Sequence, residues 1–521
     1  MRPPVWQPPV PLSAAEEHIV HRISRAKLFV FLRQQRHALF DAAFQEELST
    51  LYEDSSMGHP PVPPARLALA TILQAYTGAS DDEVIEATLM DRRWQLVLDC
   101  LDCAYPPFSK GTLVAFRSRL IAQDMDRRLI ERTVQIAAQT KGFGHRQLRG
   151  ALDSSPLWGA GRVEDTLNLM GHALRTALGV IARQQGRELA AVAVEADAPL
   201  LGQSSLKAAL DCDWDDPAAR ALALQQVVDT LEAVERWLEQ QPQTPATAQA
   251  QGKVDVARTV QAQDVETRPE GTVALRQGVA PERRISVEDA EMRHGRKSRS
   301  QRIDGYKRHV FRDLDSRLIR AVGVTPANAP EASVTEAIAT DLQAQDAELV
   351  EFHIDRAYLS STLVRERSPH LTIFCKAWPV HNGPHLAKTA FALDWERHLI
   401  RCPHGVEMPF RPGGVVHFPR EQCMACPLRA RCTASDRGRS VSIHPDERLL
   451  EELRQRQLTP AGRAKLRERV AAEHALAHIG HWQGDRARYR GVRQNLFDLR
   501  RMGVVHNLHV LARLPDVPAA A

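Results

Sequence analysis

The chain has 521 residues, more than one ordinary domain accommodates, and a length of this order suits roughly two to four domains. Its hydrophobic fraction of 43% permits a sizeable core, and no run approaches the ~20 unbroken apolar residues of a membrane span. The formal net charge of +4 is slight, but HGRKSRSQR (294–302) carries four Arg or Lys and no acid, and GDRARYRGVRQNLFDLRR (484–501) is dense in Arg. Such clusters suit phosphate contacts or a solvated surface, and neither cluster alone decides between them.

Taken in chain order, the first segment, MRPPVWQPPVPLSAAEEH, has prolines where a secretory signal needs an apolar core, so the expected location is cytoplasmic. Residues 1–145 read as helical. ARLALATILQAYTGASDDEVIEATLMDRRWQLVLDC has helical apolar spacing, broken at GASDDE, with Ser80 or Asp81 as the next cap. LRGALDSSPLWGAGR (148–162) predicts a strand near 148–157 interrupted by Asp153. Residues 175–295 read as a mainly helical insertion. Asp216 caps a helix opened by Pro217, and Leu224, Val227, Val228, Leu231, Val234 and Leu238 share one face. The stretch QQPQTPATAQAQGK (240–253) is polar and reads as a loop.

From 303 the pattern turns to β. IDGYKRHVFRD and RLIRAVGVT flank DLDS as a hairpin would, PANAPEASVTEAIATDLQAQ reads as a helix, ELVEFHI as a strand, YLSSTLVRER as a helix and LTIFC as a strand. This alternation predicts an α/β sheet with parallel pairing after the hairpin. Asp355 falls just past a strand's carboxyl end, where such sheets gather functional groups. TPAGRAKLRERVAAEHALAHIG predicts one long helix, capped by Thr459 and carrying Glu473.

Asp153, Asp355 and Glu473 each lie in an apolar neighbourhood, where a carboxylate needs a proton, a partner or a metal. Singly, each reads as a cap or an ion-pair partner. Together they offer an oxygen-only set suited to hard cations such as Mg²⁺ or Mn²⁺.

The order strand with Asp, hairpin, helix, strand with Asp, helix, strand, late helix with Glu resembles the ribonuclease-H-like core of DDE transposases from bacterial insertion sequences. The words ALDSSPLWGAGRVEDT, GRKSRSQRIDGYKRHVFRD, VTPANAPEA, HIDRAYLS and RERVAAEHALAHI carry the resemblance, and residues 60–120 resemble the family's helical N-terminal domain. The resemblance implies Asp153, Asp355 and Glu473 as catalytic residues holding two Mg²⁺ or Mn²⁺ ions, with Asp153 favoured over the nearby Asp165. It implies phosphoryl transfer on DNA: water frees a 3′-OH at the transposon end, and that hydroxyl attacks target DNA. Leu466 and Gly480 stand where the family often has Tyr and Lys, which questions the end contacts made there.

Candidate DNA contacts are Arg296, Lys297, Arg299, Arg302, Lys307, Arg469, Arg488 and Arg490. The expected partners are double-stranded DNA, as transposon ends and as target, and a second copy of the chain on that DNA. The resulting division is 1–145 helical and DNA-binding, 146–174, 296–395 and 441–515 catalytic core, 175–295 helical insertion, and 396–440 cysteine-rich insertion. A non-catalytic DNA-binding regulator and a metal-dependent nuclease of the same fold are the alternatives.

Eight cysteines without a secretory signal do not suggest a disulfide framework. Cys423-Met-Ala-Cys426 has the C-x-x-C spacing that brings two thiolates to one tetrahedral Zn²⁺, with Cys402 and Cys432 completing four ligands and His404 able to replace one. Cys100, Cys103, Cys212 and Cys375 read as buried small hydrophobes.

Overall fold

The computed structural model describes residues 2–54, 59–141, 147–269, 271–297 and 300–514. Its centre is a mixed sheet of six strands: β1 (Gln147–Trp158), β2 (Arg293–Arg296), β3 (Arg302–Asp313), β4 (Ile319–Pro326), β5 (Glu348–His353) and β6 (Thr372–Phe374). β3 pairs antiparallel with β1 along one edge and with β2 and β4 along the other; β5 runs parallel to β1, and β6 parallel to β5. The predicted hairpin and the parallel strands after it are therefore present.

Strand β3 is buried along nearly its whole length because both sheet faces are covered. Val310 joins one core, with Leu476, Ile479 and Val505, while its neighbour Phe311 joins another, with Leu152, Phe352 and Ile338. Side chains two apart share a face of a strand, so this split follows from the pleat. Gly150 of β1 makes the second core possible: a Cβ there would lie 1.9 Å from the Phe311 ring.

The helices before residue 142 do not enclose a core of their own. They share one cluster with the face of β3 and β4 and with helix Val492–Leu511, which buries Phe497, Leu499, Met502, Val505 and Leu508. Asn507 of that helix accepts from the Ile319 amide at 2.7 Å and donates to Thr133 at 2.8 Å. Ser80 is the cap of Asp81–Met90, in a reciprocal arrangement with Glu83.

The insertion has its own apolar core. Helix Thr166–Gln185 already belongs to it, starting before residue 175 with Asp165 as its cap. Asp216 and Pro217 open helix Pro217–Glu239 as expected. Of the loop expected at 240–253, only 240–244 is irregular; the remainder is the start of helix Pro245–Asp264. Thr244 caps it, Pro245 occupies its first turn, and Ala250, Val254, Ala257 and Val260 bury a narrow apolar face. Gln and Ala are good helix formers, and small buried residues kept that face inconspicuous.

Two further expectations change in detail. YLSSTLVRER (358–367) forms only a single helical turn, Thr362–Arg365, and a 3₁₀ turn, Arg356–Tyr358, leads into it. The long helix expected from Thr459 is two helices, Pro460–Arg467 and Val470–Gln483, with Glu468 and Arg469 at their joint. Among the described residues no helix is long and apolar enough to cross a membrane.

Candidate active site

Asp153 sits mid-strand in β1, opposite Val310 of β3. Leu152 enters the core beneath the sheet, so the pleat turns Asp153 to the other face, against helix Val470–Gln483. Glu473 lies in the first turn of that helix. Asp355 follows β5 and accepts from the Arg356 amide as the cap of the 3₁₀ turn. Segments far apart in sequence thus bring all three predicted acids to the lining of one cleft of about 550 Å³, shared with Ser155, Lys297 and Arg308.

A guanidinium holds this cleft together. Arg469 bonds Asp153 through one nitrogen and Glu473 through the other, the latter at 2.7 Å. The second oxygen of Asp153 accepts from the Ser154 amide at 2.8 Å. Burial pushes the Asp153 carboxyl above the ordinary range; Arg469 opposes the rise, and the negative charges of Glu473 and Asp355 add to it. A buried carboxylate with two like-charged neighbours calls for cations, and here one is a side chain of the protein.

A different acidic group has ligating atoms within 4.8 Å of one another: Glu351, His353 and Glu468. It is already neutralised. Lys465 reaches both Glu351 oxygens, at 2.9 and 3.1 Å, and Arg149 donates to Glu351 at 2.9 Å and also bonds Glu468. Against the effect of burial, these hydrogen bonds and that of His353 hold the Glu351 carboxyl at about 2. The network ties β1 and β5 to the joint between the two late helices.

The predicted DNA contacts divide. Lys297 lies on the cleft with the acids. Arg296, Arg488 and Arg490 are exposed, Arg490 pairing with Glu288 at 3.0 Å. Arg302 is exposed and reaches His294 at 2.9 Å. Arg299 lies outside the described residues. Lys307 is not on the surface: it is buried, with its ammonium donating to the Ala329 carbonyl at 3.0 Å. Arg469 is half-buried and bonds Asp153 and Glu473.

Sequence reasoning passed over Arg308. It is buried, donates to Ser155 at 2.7 Å and to Gln483 at 2.9 Å, and reaches the cleft. A Cβ added at Gly480 would lie 3.2 Å from Arg308 Nη2, so the glycine leaves this guanidinium room. The local sequence carries little signal: Arg308 lies between Lys307 and His309 in a strand that carries several other charged residues.

Two buried histidines sit near this region. His309 of β3 bonds Tyr358 at 2.8 Å and Thr325 at 3.0 Å, and burial holds it at about 3. His506 meets His478 of the Glu473 helix at 2.8 Å, and burial holds it too at about 3. Both fall below the ordinary ~6.5, so protonation favours the unfolded chain, and stability is lost as pH falls below ~6.5 toward 3. Each contributes a loss of roughly 2 kcal/mol by pH 5. Asp341, raised by burial to about 6, offsets part of it. Urea unfolding at pH 7 and pH 5 checks this, with His309→Gln expected to flatten the dependence; an equal slope in that variant would clear His309.

Cys402, Cys423, Cys426 and Cys432 line one small apolar cavity with His404. Cys402 opens a tight turn: its sulfur accepts from the Val406 amide at 3.3 Å and its carbonyl from Gly405 at 2.9 Å, with Gly405 at φ +93°. Of the other cysteines, Cys100 and Cys375 are buried as expected, whereas Cys103 is exposed and Cys212 only half-buried, both lying in loops rather than in the core.

Two family models match the chain. Residues 401–512 match the transposase DDE domain, and residues 20–119 match the transposase domain DUF772. The first span includes the four clustered cysteines, Arg469 and Glu473; Asp153 and Asp355 precede it. No curated protein and no solved structure matches.

Proposed function

From these two matches we infer that the chain is a DDE transposase of an insertion sequence, and we propose that it binds the terminal inverted repeats of that element, cleaves DNA there and transfers the freed strand to a target. One observation carries the reading: carboxylates from β1, from the turn after β5 and from a late helix line a single cleft, neutralised by Arg469. The strand pairing supports a ribonuclease-H-like core, with β4, β3, β1, β5 and β6 side by side.

The donor set fits hard divalent cations, since Asp153, Asp355 and Glu473 offer only oxygen. These residues would hold two Mg²⁺ or Mn²⁺ ions. When bound, such ions activate an attacking oxygen and stabilise a leaving one in a phosphodiester. The chain's own groups do the rest. Lys297 and Arg308, on the same cleft, place and neutralise the scissile phosphate. Exposed Arg296, Arg302, Arg488 and Arg490, with Arg299, hold the flanking duplex. Catalysis then rests on positioning and charge stabilisation. The reading assigns DNA recognition to the N-terminal helices, a structural Zn²⁺ to the four clustered cysteines, assembly on DNA to two copies of the chain, and a cytoplasmic location.

The test is cleavage of DNA carrying the element's ends, with Mn²⁺. The expected result is a nick that frees a 3′-OH, followed by joining to target DNA. Specific binding without any cleavage would mark a regulator. Cleavage that never proceeds to joining, even with pre-cut ends, would mark a nuclease.

A further inference from the structure

Arg469 occupies the position that a metal-binding reading reserves for cations. Its two terminal nitrogens bond the carboxylates of Asp153 and Glu473, and the positive charge also faces Asp355. Asp153 has one oxygen on Arg469 and the other on the Ser154 amide, so neither is unengaged. A divalent ion bound by Asp153 and Glu473 would compete with the guanidinium for the same oxygens, and like charges so close repel.

The side chain also has somewhere to go. Arg469 stands at the joint between Pro460–Arg467 and Val470–Gln483, and with Asp355 it lines both the acidic cleft and a second cavity of about 420 Å³. Arg356, Lys376 and Leu466 line that second cavity, and its only carboxylate among the lining residues is Asp355. A guanidinium released from the acids would there join two other cations, an arrangement favoured only with an anion between them.

We propose that Arg469 is a displaceable latch: it holds the acids together without metal, and metal binding expels it into the adjoining cavity, where a DNA phosphate receives it. The proposal rests on the transposase reading for the identity of the metal and of the anion. Its consequence is reciprocal coupling. Metal raises the affinity for DNA, DNA raises the affinity for metal, and the resting protein binds metal weakly.

The test measures Mn²⁺ binding to the full chain by electron paramagnetic resonance, without and with end DNA, in wild type, Arg469→Gln, Arg469→Lys and Asp355→Asn. Arg469→Gln is expected to bind Mn²⁺ roughly tenfold more tightly than wild type in the absence of DNA and to lose most of the DNA-induced increase, with Arg469→Lys between them. Thermal unfolding without metal should be lower in Arg469→Gln, and added Mn²⁺ should restore more in that variant than in wild type. Equal or weaker Mn²⁺ affinity in Arg469→Gln, with Asp355→Asn still losing Mn²⁺, would overturn the latch and leave the metal site standing. Absence of Mn²⁺ binding in every protein, with and without DNA, would overturn both.

Discussion

Replacing Asp355 by Asn is expected to lower strand cleavage by at least about 10²–10³-fold while binding to end DNA changes little. The substitution is conservative for the fold. Asp355 caps the 3₁₀ turn by accepting from the Arg356 amide, and the Asn carbonyl oxygen can accept the same bond. Lost instead is a negative charge on a cleft where Asp153 and Glu473 supply the other two. Cleavage rate with Mn²⁺, DNA affinity by anisotropy and melting temperature, measured together, separate these effects. Asp485 is a fourth carboxylate on the cleft and is largely exposed. Asp485→Asn should cleave almost normally and serves as the control. A normal rate in Asp355→Asn would remove that residue from the chemistry.

The second large effect concerns the cysteines. The protein as purified is expected to contain one zinc ion per chain, and a strong chelator should unfold the region around residues 402–432. The apolar cluster there is small: Phe391, Ile400, Phe410, Val416, Phe418, Val441 and Ile443. Cores of this size seldom hold a fold without a disulfide or a metal. A structural zinc supplies about 10–16 kcal/mol of apparent binding energy near neutral pH. Burial, together with the neighbouring sulfurs, raises the Cys432 thiol, so the metal-free cluster is poorly suited to holding thiolates. Trp395 stacks edge-on with Phe410 at 5.1 Å and donates to Glu451 at 2.7 Å, which makes its fluorescence a local reporter. Cys423→Ser should reproduce the chelator's effect. No bound zinc, together with an unchanged melting curve on chelation, would refute the site.

Much of the catalytic half was legible because its elements are short and differ sharply in period. The strand that carries Asp153, the strand that ends just before Asp355, the hairpin between them and the capped late helices all left local marks. Where the reading failed, the deciding interaction was distant or the signal was quiet. Helix Pro245–Asp264 hides behind Gln and Ala, and only packing within the insertion reveals its face. The break at Glu468–Arg469 is written nowhere in the local pattern; it coincides with tertiary ion pairs from Arg149 to Glu468 and from Arg469 to Asp153. Lys307 looked like a surface cation because the Ala329 carbonyl that receives it is 22 residues further along the chain. The three acids stood out one by one from their apolar neighbourhoods, but that they meet on one cleft is a matter of tertiary folding, and only the resemblance favoured it over three separate caps or ion pairs.

The core shared between the early helices and Val492–Leu511 carries a lesson for handling this molecule. A fragment cut near residue 141 would expose the apolar faces that this helix covers, so it should be recovered insoluble or bound to chaperones rather than as a free folded domain. During synthesis the same helices wait several hundred residues for their cover. Premature termination anywhere in that interval therefore leaves those apolar faces uncovered.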